Sequence, residues 1–147
     1  MEAHRYEHSL EVQVPFLQHL RSEVTFAALC MGVQDYQAAV EVGSRVREAL
    51  KGRNALVLAS TDFSHYVPPE VAAVKDRRAI DAILTGDARS FLRTVDGERI
   101  SMCGPGPVAA ALVALDGPKA ELLRYGHSGD VAPMRDVVGY AALTLRT

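Results

Sequence analysis

The sequence predicts an α/β protein: a mixed, largely parallel sheet flanked by helices. Three observations lead there. Val24 to Val33 and Ala55 to Ser60 are apolar runs of strand length, continuous enough for strands buried on both faces. Between them, Tyr36 to Leu50 carries Ala39, Val40, Val46, Ala49 and Leu50 on one face with charge around it, the pattern of an amphipathic helix lying on a sheet. Strand, helix and strand at this spacing make a right-handed parallel crossover. Finally, the second apolar run opens into Ser60-Thr61-Asp62-Phe63-Ser64-His65-Tyr66, hydroxyls followed by an acid and an imidazole. Open α/β sheets present their chemistry at this edge of a strand.

The other elements follow from local signals. Ser9 is placed to cap a helix whose stripe is Val12, Phe16, Leu17 and Leu20, with Pro15 disturbing its second turn. His19 suits the C-terminal dipole of that helix. Cys30, inside the first apolar run, reads as a small core hydrophobe. Pro68-Pro69 starts a long helix to about Leu84, with Val71, Val74, Ala79, Ile80 and Ile83 inward and Lys75, Asp76, Arg77, Arg78 and Asp81 as a solvated outer face. Asp87 caps a helix from Ala88 to Val95, and Asp96-Gly97-Glu98 is a turn. Pro107 to Leu115 is apolar all round, hence a buried helix, stopped by Asp116-Gly117-Pro118. Ala120 to Tyr125 and Val137 to Leu145 are strands joined through the turn Gly126-His127-Ser128-Gly129-Asp130, with Asp130 in a local hydrogen bond and His127 exposed.

At 147 residues the chain fits one domain with a core of its own. Its net charge of −2 offers no basic footprint for nucleic acid. The longest apolar runs are too short to span a membrane, and Met1 to Arg5 lacks a signal h-region, so the expected location is the cytoplasm. Two cysteines, Cys30 and Cys103, are too few for a disulfide framework.

Four side chains stand out as candidates for chemistry. Asp62 and His65, three apart in a loop, can pair so that the carboxylate orients the imidazole as acid or base, or they can be a turn cap and a partly exposed ring. Cys103, within Met102-Cys103-Gly104-Pro105-Gly106-Pro107, precedes a helix whose dipole and free amides favour a thiolate: a nucleophile, a redox thiol, a soft metal ligand or a buried structural thiol. Ser9 is accounted for by capping; His8 beside it is not. Walker, G-x-G-x-x-G, H-E-x-x-H and C-x-x-C patterns are absent from the sequence, so no local motif supplies a whole phosphate or metal site.

Taken together these segments resemble the Memo family, whose bacterial and archaeal members are called AmmeMemoRadiSam system protein B, and which is in turn similar to the class III extradiol dioxygenases. The resemblance runs through Glu7-His8-Ser9-Leu10-Glu11-Val12-Gln13-Val14-Pro15-Phe16, Ser60 to Tyr66, Met102-Cys103-Gly104, Ser128-Gly129-Asp130 and Val138-Gly139-Tyr140-Ala141-Ala142, in that order. In the dioxygenases two histidines and a glutamate hold a non-haem Fe(II), and Memo proteins put a cysteine where the glutamate would be. The resemblance therefore implies Cys103 as a metal ligand, His65 as general acid/base, Asp62 as the carboxylate that orients it, and His8 as a substrate or oxygen contact, with iron (Fe2+) or copper as cofactor. The family's two metal-binding histidines precede Glu7-His8-Ser9. Residues 1–147 are thus expected to be a single domain matching the C-terminal portion of a Memo-like domain, with an incomplete metal site and an uncovered sheet edge that invites association. The implied function is a dioxygenase-like, metal-dependent oxidoreductase acting on an unknown small molecule or peptide. The alternatives are a non-catalytic peptide or small-ligand binding or regulatory module using the same pocket, and a thiol enzyme with a Cys103–His65 pair.

Overall fold

The computed structural model describes residues 4–147; Met1, Glu2 and Ala3, read above as part of a segment without an h-region, lie outside the described residues. The chain divides into two units, one ending at Gly32 and the other running from Val33 to Thr147.

In the first unit a 3-10 turn, Glu11–Gln13, leads into helix α1, Val14–Leu20. Ser9 was expected to cap this helix, but the turn starts past it and neither the turn nor α1 has a side-chain cap; Glu7 instead holds the residues ahead of the turn. Its carboxylate accepts from the backbone N–H of Ser9 at 2.7 Å and of Leu10 at 3.3 Å. Pro15 falls in the first turn of α1, where a missing N–H breaks no helical bond, so it starts the α-helix without kinking it.

The second unit begins with helix α2, Tyr36–Leu50, capped by Asp35, whose Oδ1 accepts from Ala38 N–H at 2.8 Å. Strand β1, His65–Val67, is followed by helix α3, Pro69–Leu84, and by α4, Ala88–Gly97, capped by Asp87. Helix α5, Pro105–Leu115, is buried on every side through Val108, Ala109, Ala110, Ala111 and Leu112, as its uncharged sequence requires. Its C-terminus ends on left-handed Asp116, φ 61°, and its last carbonyls, Val113 O and Ala114 O, accept from the Arg47 guanidinium. Strands β2, Lys119–His127, and β3, Val137–Arg146, complete the unit.

The sheet corrects the expected topology. It has three strands in the order β1-β3-β2, and both pairings are antiparallel. The parallel ladder foreseen between Val24 to Val33 and Ala55 to Ser60 does not form: among the described residues neither run is paired with a neighbouring strand. The reason is that α2 does not cover a sheet. Its face at Ala39 and Gly43 packs on α5, with Gly43 so close that an added Cβ would stand 2.5 Å from Ala110 O. Runs that were to be buried on both faces therefore lie open: Leu56 is 81% exposed and Phe26 59%, and Cys30, expected in the core, is exposed as well.

The core of the second unit collects Phe63, Ala79, Ile80, Ile83, Phe91, Leu112 and Val137. Three side chains of α3 reverse their expected orientation, among them Val71, assigned inward but exposed. Val74 faces solvent, whereas Asp76, assigned to the outer face, is 0% exposed. The expected face counted charge ahead of geometry: Ala72, Asp76, Ala79, Ile80 and Ile83 follow the i, i+4, i+7, i+8, i+11 spacing of one helical stripe. At the other end of β2, Asp130 makes its expected local bond, accepting from His127 N–H at 2.8 Å, but His127 itself is only partly exposed.

Candidate functional site

The site forms where β1 begins. Its pairing with β3 sets His65 opposite Val138 and Val67 opposite Val137, so Tyr66 is an extra residue in a bulge. Tyr66 adopts φ 53°, a left-handed conformation costing a residue with a Cβ about 1–2 kcal/mol. Bulges of this kind re-aim a neighbouring side chain, here the imidazole of His65.

That ring is fixed by its own backbone surroundings. His65 Nδ1 lies 2.8 Å from Phe63 O and 2.8 Å from Ser101 O. Both atoms only accept, so Nδ1 carries the proton, and in the neutral ring Nε2 keeps its lone pair. Ser101 tightens the arrangement, its hydroxyl accepting from His65 N–H at 2.8 Å and donating to His65 O at 3.2 Å. Nε2 lies 3.7 Å from Asp62 Oδ2. The expected proximity of these two residues is thus present, but on the Nε2 side, while carbonyls rather than Asp62 orient the ring.

Cys103 arrives from the loop ahead of α5. Asp62 N–H points at its Sγ from 3.3 Å, and Thr61 Oγ1 is 3.4 Å away. The approach depends on Gly104, where a Cβ would stand 2.9 Å from Thr61, and Gly104 N–H donates to Thr61 Oγ1 at 2.8 Å. Gln34 holds the far side of the loop. Its amide nitrogen donates to Cys103 O at 3.1 Å and its oxygen accepts from Gly106 N–H at 3.0 Å. Cys103 is exposed.

Asp62, His65 and Cys103 thus meet: one ligand atom from each lies within 4.8 Å of the others. Donors bonded to one transition metal at ordinary lengths stand roughly 3.3–3.8 Å apart, and the 3.7 Å between Asp62 and His65 is in that range. Imidazole nitrogen, carboxylate oxygen and thiol sulfur are all metal-ligating donors, so the residues fit a metal ion.

His8, the fourth residue singled out, belongs to the first unit, where it is exposed with Nδ1 2.7 Å from Glu11 Oε2. Ser101 and Gln34 were not singled out in the sequence, Thr61 was noted only as a hydroxyl ahead of Asp62, and Asp76 only as part of a solvated face. Only Asp76 carried a signal, an acid on an apolar helical stripe; the others are tied to the site by contacts distant in the chain.

A family model described as Memo-like protein matches residues 1–144. The chain is 44% identical over 148 residues to a MEMO1 family protein of Archaeoglobus fulgidus, covering 98% of this chain and 57% of that protein. It is 48% identical over 150 residues to one of Methanococcoides burtonii, with the same coverage of 98% and 57%. A third, from Methanopyrus kandleri, is 43% identical over 153 residues, covering 99% of this chain and 54% of the relative. The chain thus spans about half the length of the curated relatives it matches. With a family match over nearly its whole length and these relatives beside it, the chain belongs to the Memo-like family.

Proposed function

We propose that the chain binds iron (Fe2+) or copper through Cys103, with His65 and Asp62 beside it, as part of a dioxygenase-like, metal-dependent oxidoreductase. The observation that carries this reading is the convergence of the three donor atoms within 4.8 Å, reached from two segments about forty residues apart. When bound, the metal supplies Lewis-acid and one-electron chemistry that side chains lack.

The protein's own part is to hold and move protons. With Nδ1–H committed to the two carbonyls, His65 presents a single lone pair at Nε2, which either completes the ligand set or takes a proton from a bound substrate. A proton taken there sits on Nε2, 3.7 Å from Asp62 Oδ2. Gly104 and Gln34 keep the sulfur where it is, so little reorganisation accompanies binding.

The test is anaerobic loading with Fe(II) or Cu(I) followed by metal analysis of the chain, of Cys103→Ala and of His65→Ala. One metal per wild-type chain and none on Cys103→Ala is the expected result; a wild-type chain that stays metal-free retires the reading.

A second reading, a non-catalytic ligand-binding module, draws on an open depression of about 600 Å³ lined by Tyr36, Leu92, Arg93, Arg99, Met102 and Pro105, the last two flanking the Cys103 loop. Small-molecule or peptide binding that is indifferent to Cys103→Ala would favour it.

A further inference from the structure

We infer that Asp76 is the positioning residue of the Asp62, His65 and Cys103 site, acting through the backbone of Ser64; the inference rests on the metal-binding reading above. Asp62 and His65 flank the dipeptide Phe63-Ser64, and every backbone polar group of that dipeptide is occupied. Phe63 N–H donates to Gly139 O at 2.9 Å, and Phe63 O accepts from His65 Nδ1 at 2.8 Å. Ser64 O accepts from Gly139 N–H at 2.9 Å, and Ser64 N–H donates to Asp76 Oδ1 at 2.9 Å. Apart from the His65 ring itself, Asp76 is the one side chain in this set. It is fixed in turn by Tyr125, whose O–H donates to Asp76 Oδ2 at 2.9 Å.

The location makes a purely packing role a poor explanation. Asp76 is 0% exposed on the apolar stripe of α3, where an aliphatic residue would fill the space without the desolvation that a carboxylate suffers. Room for it depends on Gly139, since a Cβ there would stand 1.8 Å from Asp76 Oδ2. A buried acid, a tyrosine that points at it and a glycine that admits it all act on one amide group. That amide determines where the chain turns between Asp62 and His65, and with it the separation of Oδ2 and Nε2.

The experiment titrates cobalt(II) into the chain anaerobically, following the thiolate absorption, and measures the His65 ring by nitrogen NMR. The variants are Asp76→Ala, Asp76→Asn, Tyr125→Phe and, as a stability control remote from Ser64 in sequence, Phe91→Leu in α4. Asp76→Ala and Tyr125→Phe should weaken cobalt about tenfold or more, the size of effect seen when a ligand's support is lost. They should also convert the ring from the Nδ1–H tautomer to a mixture. Asn can still accept from Ser64 and donate to Tyr125, so Asp76→Asn should stay close to wild type in both. Phe91→Leu should lower the melting temperature and leave both readouts alone. If Asp76→Ala does not fold, Tyr125→Phe decides. Cobalt affinity and tautomer unchanged in Tyr125→Phe would overturn the inference. A wild-type chain that binds no cobalt would instead retire the metal reading, and the tautomer in Tyr125→Phe would still support or overturn the role of Asp76.

Discussion

Replacing Gly139 with alanine puts a methyl carbon 1.8 Å from Asp76 Oδ2, 2.9 Å from its Cγ and 3.3 Å from Phe63 Cβ. Ordinary contact requires the carboxylate to retreat by roughly 1.5 Å, a distance over which its bonds to Ser64 N–H and Tyr125 O–H cannot both survive. Overpacking costs about 1–3 kcal/mol, and each hydrogen bond lost to a charged group about 1.5–3 kcal/mol. Against this stands a gain of about 0.4–1 kcal/mol from restricting the unfolded chain. The loss wins, leaving a net destabilisation of about 2–5 kcal/mol, or a melting temperature lower by roughly 5–20 °C for a chain of this size. Calorimetry or thermal circular dichroism measures it. A double-mutant cycle locates the cause, because in an Asp76→Ala background the methyl group meets no carboxylate and Gly139→Ala should cost far less. Equal melting temperatures for Gly139→Ala and wild type, or equal costs in both backgrounds, would refute the packing argument.

Gly43→Ala sets a helix-propensity gain of about 1 kcal/mol against a Cβ 2.5 Å from Ala110 O and 2.7 Å from Val113 Cβ. Backbone cannot yield as a side chain can, so the variant should unfold at lower urea concentration than wild type. Burial, then the hydrogen bond to Asp76, push the Tyr125 hydroxyl well above its ordinary value. A group that keeps its proton longer when folded weakens the fold once the unfolded chain ionises, so stability should fall as pH rises above about 10, and Tyr125→Phe should flatten that dependence in denaturant titrations. Hydrogen bonding by Ser9 holds the Glu7 carboxyl below its usual range. The stability this adds is complete above the unfolded carboxyl's value of about 4.3 and lost as pH falls through the lower folded value. Protection of the Ser9 and Leu10 amides, taken as exchange relative to an unprotected amide at the same pH, should fall in acid, and Glu7→Gln should remove that pH dependence.

Helices α2 to α5 were legible because their signals are local: the apolar face of Tyr36 to Leu50, Asp87 as a cap, proline at the start of α3, the uncharged run of α5 and the Asp116-Gly117-Pro118 stop after it. The Asp35 cap and the start of α5 at Pro105 rather than Pro107 came from the structure. The antiparallel pair β2 and β3 was legible as two strands for the same reason. The chemistry of Asp62, His65 and Cys103 could be read from residue type and neighbourhood, and their common family likeness ordered them along the chain.

What only the tertiary structure decided was partnership. An apolar run such as Ala55 to Ser60 carries the propensity for a strand, but a ladder exists only where another backbone offers its N–H and C=O groups, and none of the described residues does so. The same holds for Asp76. Its charge argued for solvent and its helical spacing for the core, and the conflict was resolved by Ser64, Tyr125 and Gly139, which come from three other parts of the chain. Sequence periodicity reports which face of an element is apolar; which atoms wait opposite that face depends on contacts made across the whole chain.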